Sequence, residues 1–410
     1  MNHAPSPIHI KDDWTVQETR FDPGQVVTSG SNFMTGNGYL GYRGTFPEWN
    51  KEKYVACVVS DTYDNADGKW KELCTVPNAL YTQVWEDGEL VDLEAPHSDY
   101  AHGLHIKHGR TFGKYTWDSP SGGTLGIEFE RFASYQSLHL IVQKITITAD
   151  KNTELTLRSG VDSDIWSLNG DHFSEYIPFH DEEVRGVECK TTERGLPVVV
   201  AGSYRIVGMA PDATREEPSG TSSFMLLDFT LSPGESIILE QMMSVYSGND
   251  TEDPKERACR LARKAAQQGF EKLAAKSDLI WDDMWSTYQM HIDSSDDAQA
   301  LLNYNLYHNI IATPAHTDHL PIGARGLSCQ AYQGAAFWDQ EIFNHPMFLY
   351  TDPNVARNLL TYRYKTLDGA RRKAERLGYY GAFYAWISGD TGDELCPDYF
   401  FVDVLTGRKI

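Results

Sequence analysis

The sequence predicts a multidomain β-plus-α protein: an N-terminal antiparallel β-sandwich over residues 1–250, a helical linker over 251–318, and helices with interrupting loops over 319–410. Three observations carry this. Apolar and polar residues alternate with period two through the first region, the signature of strands with one buried face. Helical spacing begins at Asp253-Pro254, where a carboxylate precedes a first-turn proline. The same signal returns at Asp352-Pro353, after an aromatic and Gly-rich stretch.

In chain order, Thr35-Gly36-Asn37-Gly38 is a hairpin turn. Leu125, Ile127 and Phe129 alternate with polar residues, as do Leu138, Leu140 and Val142, then Ile145 and Ile147, then Leu155 and Leu157. Turn clusters such as Ser119-Pro120-Ser121-Gly122-Gly123 separate them, and Ser232-Pro233-Gly234-Glu235 divides two later strands. Many short strands with little helical periodicity predict a large sandwich. From Asp253, its predicted N-cap, a helix carries Ala258, Leu261, Ala262 and Ala265 inward and is expected to run past Gly269 toward Trp281 and Trp285. A second helix starts after Asp296 with Ala298, Leu302, Leu306 and Ile310 on one stripe. A third is expected from Asp352 through Leu377, ended by Gly378. So few helices cannot close a helical domain by themselves.

Composition narrows the function. The net charge of −22, with no basic run, opposes nucleic acid and anionic membranes. The six cysteines are widely spaced, which fits free thiols in a reducing cytosol. The N-terminus lacks the basic and apolar segments of a signal peptide, and no apolar run reaches the length of a membrane span. A cytoplasmic protein is expected. Histidine spacing offers no metal site, and no GxSxG or nucleotide loop occurs, so no cofactor is expected.

The stretch Ile322 to Tyr350 gathers Tyr332, Phe337, Trp338, Phe343 and Phe348 around Asp339 and Glu341. Sugar sites are built this way: an aromatic ring lies on the C–H face of the pyranose, and a carboxylate accepts from adjacent hydroxyls. An aromatic helix start capped by Asp339 is the other reading. Glu341, two residues on, faces away from Asp339 on a helix and reads as a structural hydrogen bonder. Trp386, Asp390, Asp393 and Glu394 form a second group in a Gly-rich loop, either a pair for acid–base work on a glycosidic bond or an acidic solvated loop. Arg363 and Lys365 could meet a carboxylate or a phosphate, or lie in surface ion pairs.

Taken in order, SNFMTGNGYLGYRGTFPEW, IGARGL, FWDQEIF, MFLYTDPNVARNLLTYRYKTLDGARRKAERLGYYGAFYAW and SGDTGDEL resemble glycoside hydrolase family 65, inverting phosphorylases of α-linked glucosides with some related hydrolases. The resemblance implies that residues 319–410 begin an (α/α)6 catalytic barrel. It implies that Trp338 and Asp339 grip the glucosyl unit in the −1 subsite. The loop from Asp390 to Tyr399 would shape the +1 subsite, with Glu394 in that loop and Tyr332, Arg363 and Trp386 nearby. It further implies an α-linked glucoside and phosphate as partners, phosphate being a co-substrate rather than a cofactor, and a homodimer for the whole enzyme. The family's general-acid Glu and phosphate loop would fall after Ile410, so no residue here is assigned as catalytic. The chain is expected to be a C-terminally truncated member, inactive and association-prone alone. Gly334-Ala335-Ala336 stands where many members carry a histidine, which leaves the acceptor open. A hydrolase on the same fold and a noncatalytic sugar-binding or assembly module are the alternatives.

Overall fold

The computed structural model describes residues 8–66, 70–217, 219–293 and 296–396, together with 406 and 408. Tyr399 and the segment around it lie outside the described residues. Two antiparallel sheets face one another. The centre of a ten-stranded sheet is formed by Thr124–Ala133, Leu140–Ala149, Ser236–Ser247 and Pro197–Val207, in that spatial order. A five-stranded sheet is centred on Ser223–Leu231, Thr153–Asp162 and Asn78–Glu86. The predicted alternation sets the register. Ile127 pairs with Ile147, and Ile147 with Ile237, so apolar side chains form continuous rows across strands. Those rows meet Val84, Leu155, Leu157, Leu227 and Phe229 of the smaller sheet in one core. Each such side chain, fully buried, stabilises by about 1.5–3 kcal/mol.

A buried cation lies inside this core. Arg131 donates to Gln143 Oε1 (2.7 Å) and to the carbonyls of Thr45 (3.0 Å) and Arg43 (3.3 Å), and it lies over the Tyr42 ring at 4.3 Å. Burial lowers its pKa. The arginine joins the sheet to the segment after the predicted hairpin.

That segment forms a third, four-stranded sheet: Thr35–Gly36, Leu40–Tyr42, Cys57–Ala66 and Trp70–Val76. Its first hairpin forms where the sequence places it. Asn37 Oδ1 accepts from the amides of Tyr39 and Leu40, both at 3.1 Å. Gly38 has φ +80°, and a Cβ there would stand 2.1 Å from the Thr313 carbonyl. The hairpin tip is therefore the seat of a helix end, a role its sequence does not announce.

Helix α1 (Val26–Asn32) precedes this sheet. Helix α2 (Pro254–Gln268) lies on the outer face of the large sheet, with Ala258, Cys259 and Ala262 against Val184, Val199 and Ala201. The expected Asp253 cap is absent, since that side chain makes no capping bond. The expected passage through Gly269 also fails. Gly269 takes φ 77° and ψ 166°, and Glu240 receives the amide of Phe270 at 3.1 Å, starting a new helix with a carboxylate at its positive end. This is α3 (Phe270–Tyr288). Its Trp281 and Trp285 pack with Tyr307 and Ile310 of α4 (Ala298–Ala312) and with Phe33 and Met34. The linker helices thus wedge the sandwich against the helical region.

Beyond them come α5 (His345–Thr351), α6 (Pro353–Lys365) and α7 (Leu367–Arg376). Asp352 caps α6 as predicted, accepting from the amides of Asn354 and Val355. The single helix expected to Leu377 is broken at Thr366, whose hydroxyl donates back to the Tyr362 carbonyl at 2.8 Å. A loop crosses closely here: a Cβ on Gly369 would stand 2.4 Å from Gly392.

Replacing Arg131 with Met leaves the Gln143 oxygen and the Thr45 carbonyl unpaired in the core. Arg131→Met is expected to lower stability by about 3 kcal/mol or more, read from the urea midpoint at unchanged m-value.

Candidate active site

A cleft of about 550 Å³ opens between α4 and the loops on either side of Trp338. Its aromatic wall is Tyr332, Phe337 and Trp386; its polar wall is Asn305, His308, Asn309 and Asn344; Asp339 and Arg325 also line it. The aromatic rings support one another edge to face. Tyr332 meets Phe337 at 5.5 Å, Phe337 meets Trp386 at 5.5 Å, and Trp386 meets Trp338 at 5.2 Å.

The approach to this wall is strained. Tyr332, Gln333 and Gly334 take φ of 57°, 63° and 65°, a left-handed turn that costs free energy at the two non-glycine positions. It is held in place by the sandwich. Tyr63 Oη donates to the Gly334 carbonyl at 2.7 Å, and a Cβ on Gly334 would strike Leu73 at 2.5 Å. Ala335 and Ala336 follow, both fully buried. Ala336 and Ser388 then exchange two backbone hydrogen bonds of 2.9 Å, joining the Trp338 loop to the Trp386 loop.

The predicted site residues divide into two groups. Tyr332, Asp339 and Trp386 line the cleft, and Trp338 stands beside Trp386 with its indole N–H donated to the Ala385 carbonyl at 2.9 Å. Asp339 is exposed and makes no ion pair among the described residues. It opens a widened π-helical turn, Gln340–Asn344, a geometry frequent at functional sites. The other three residues are engaged in holding the loops. Arg363 grips Glu341 with Nε to Oε1 at 2.8 Å and Nη2 to Oε2 at 3.0 Å. It also reaches Ser388 Oγ (2.9 Å) and the Phe337 carbonyl (3.0 Å). Glu394 accepts from the amides of Trp386, Ile387 and Cys396 and from Lys373 Nζ at 2.6 Å. Burial raises its pKa, but Lys373 and the three amides prevail and hold it below the usual glutamate value. Asp390 is paired with Lys71 and Arg194 of the sandwich, each at 3.2 Å.

Residues 16–284 match the Glycosyl hydrolase family 65, N-terminal domain, and residues 303–410 match the Glycosyl hydrolase family 65 central catalytic domain. The chain belongs to glycoside hydrolase family 65. It is 47% identical, over 97% of its length and 52% of the relative's, to a 1,2-alpha-glucosylglycerol phosphorylase of Bacillus selenitireducens. A nigerose phosphorylase of Lachnoclostridium phytofermentans is 34% identical over 97% of this chain and 56% of its own length. A solved structure of a presumed kojibiose phosphorylase from the human microbiome shares the fold at TM-score 0.85 and 22% identity, covering 95% of this chain and 53% of the other. The chain spans about half the length of the curated relatives it matches.

In this family 65 chain, sequence reasoning missed the polar wall. Asn305, His308 and Asn309 recur at helical spacing along α4, and that polar stripe was the available signal. His308 Nε2 is buried without a hydrogen-bond partner among the described residues. Burial lowers its pKa to about 4, against a backbone contact with Asn32 that raises it.

A histidine kept neutral by the fold stabilises it above the unfolded pKa near 6.5 and loses that contribution as pH falls toward 4. His308→Gln should flatten the loss of stability between pH 6.5 and 4 by about 1–2 kcal/mol, seen as a smaller shift in urea midpoint. Part of the slope will remain, because burial lowers His316 to about 4 as well.

Exposed and loop-bridging residues separate by mutation. Asp339→Asn, at an exposed position without an ion pair among the described residues, should leave Tm unchanged. Arg363→Lys, which loses the two-pronged grip, should cost about 2–4 kcal/mol of stability in thermal melts. Equal Tm losses in the two variants would contradict this division.

Proposed function

We propose that this chain is the N-terminal part of an inverting phosphorylase that cleaves an α-glucoside with inorganic phosphate, giving β-glucose 1-phosphate and a free acceptor. The observation that carries the reading is the 47% identity to a glucosylglycerol phosphorylase across 97% of the chain. The aromatic wall would hold the glucosyl ring by its C–H face, and Asp339 would accept from adjacent hydroxyls.

The relatives, named as phosphorylases, favour phosphorolysis over hydrolysis. An inverting hydrolase needs an acid and a base across the bond. Phosphate, as nucleophile, removes the need for the base. Asp339 is the single carboxylate among the cleft-lining residues, and the neighbouring acids are bound to cations. It is thus a binder, and the proton for the leaving oxygen would come from a residue outside this cleft wall. No metal or organic cofactor enters the scheme.

The names of a glucosylglycerol phosphorylase and a nigerose phosphorylase favour a small acceptor; we place it toward Tyr332. A cytoplasmic homodimer fits the same reading. No disulfide joins the six cysteines, and no helix of the described residues is long and apolar enough to cross a membrane. Leu349, Leu360 and Tyr364 on α5 and α6 are exposed, an apolar face that the rest of a longer enzyme would cover.

The test is glucosylglycerol cleavage by the polypeptide that carries this chain, with and without phosphate. Release of β-glucose 1-phosphate that depends on phosphate is expected. Full-rate glucose release without phosphate would establish the hydrolase instead. The 410-residue chain alone is expected to bind D-glucose without turnover.

A further inference from the structure

Asp390 lies at the crossing of the sandwich and the site, and its surroundings assign it a task. Its carboxylate is 14% exposed, with Lys71 Nζ and Arg194 Nη1 each at 3.2 Å. Both cations come from the sandwich. Arg194 is itself fixed, because Nη1 also donates to the Tyr63 carbonyl at 3.2 Å. Its turn is anchored by the buried Asp64, which accepts the amides of Glu193 and Arg194, both at 3.0 Å. Lys71 extends from the neighbouring strand, Trp70–Val76.

On the other side, Asp390 follows Ser388 and Gly389, where the site loops converge. Gly389 lies against the Tyr63 ring, which a Cβ would meet at 2.9 Å, and its carbonyl accepts from Tyr362 Oη at 2.7 Å. Ser388 is bonded to Ala336, two residues before Trp338, and stands two residues after Trp386. A displacement at Asp390 therefore reaches both tryptophans through two short backbone steps.

We propose that Asp390 is a positioning residue: the ion pairs from Lys71 and Arg194 clamp the loop 379–396 to the sandwich and set the Trp386 ring against Trp338. The sandwich thereby sets the shape of the sugar site without touching the sugar. The consequence for sugar affinity rests on the proposed glucoside reading of the cleft; the clamp itself does not.

The experiment compares the 410-residue chain with Asp390→Asn, Arg194→Met and Arg194→Lys, using hydrogen exchange of peptides spanning 379–396 and D-glucose binding by ligand-observed NMR. Asp390→Asn and Arg194→Met should speed exchange in that loop about tenfold, leave sandwich peptides unchanged, and weaken glucose binding about fivefold. Arg194→Lys, which keeps the charge, should restore both toward wild type. Unchanged loop exchange in Asp390→Asn would overturn the clamp, as would faster exchange spread evenly over the chain. Glucose binding lost outright while loop exchange stays at the wild-type rate would also overturn it, since Asp390 would then be touching the sugar. If the wild-type chain binds no glucose, the glucoside reading fails, and loop exchange alone decides the clamp.

Discussion

The site depends on one guanidinium. Arg363 lies on α6, away from the cleft, yet it binds the Phe337 carbonyl, both oxygens of Glu341 and the Ser388 hydroxyl. Those partners come from two loops that share no regular element. A lysine could not do this, because a point charge with a flexible stem cannot satisfy three partners in fixed directions. With Arg363 in place, Trp338 and Trp386 are brought edge to face. Without it, the half-buried Glu341 carboxylate and the Phe337 carbonyl would each lose a donor, and the two loops would lose a shared tether.

The sandwich supplies the second constraint. It bears directly on the left-handed turn at Tyr332–Gly334 through Tyr63 and Leu73. It also bears on the approach loop through Arg43, which donates to the Ser328 carbonyl (3.0 Å) and the Val27 carbonyl (2.6 Å). Tyr304 and Tyr307 of α4 return the contact, donating to the carbonyls of Asn32 and Met34. The strain of two left-handed non-glycine residues persists because packing on both sides over-determines them. A free-standing helical region would relax that turn and move Tyr332 off Phe337.

Much of this was legible in the residues, and for physical reasons. Period-two alternation is a direct consequence of strand geometry, so Leu125–Phe129 and Leu155–Leu157 could be placed on buried faces without coordinates. The Asp352-Pro353 cap is local chemistry and formed as read, whereas the identical Asp253-Pro254 signal did not, because nothing in six residues reports where a carboxylate will point. The breaks at Gly269 and Thr366 were not legible: each is imposed from outside its helix, by Glu240 in one case and the loop at Gly392 in the other. At the cleft, Tyr332, Trp338 and Asp339 could be grouped from one aromatic stretch and Trp386 from a separate Gly-rich loop, but their convergence could not be foreseen. The tasks of Arg363, Asp390 and Glu394 could not be read, since their partners lie 22, 196 and 21 residues away in sequence, in the bonds to Glu341, Arg194 and Lys373.

Electrostatics joins these observations. The chain carries a net charge of −22, and its cleft is proposed to receive a phosphate anion. Free carboxylates around such a site would repel it, more strongly as water is excluded. The acids near the cleft are instead matched one by one: Glu341 with Arg363, Glu394 with Lys373, Asp393 with Arg372, and Asp390 with Lys71 and Arg194. Asp339 remains exposed in the cleft without an ion pair among the described residues, as its proposed role toward sugar hydroxyls requires. Arg325 stands across the cleft mouth with its guanidinium 5.8 Å from the Tyr332 ring and no ion-pair partner among the described residues. The acids around the cleft of this acidic protein are thus mostly compensated by neighbouring cations. The pairing that achieves this is the same pairing that holds the loops, so the shape of the site and its potential are set by one group of contacts.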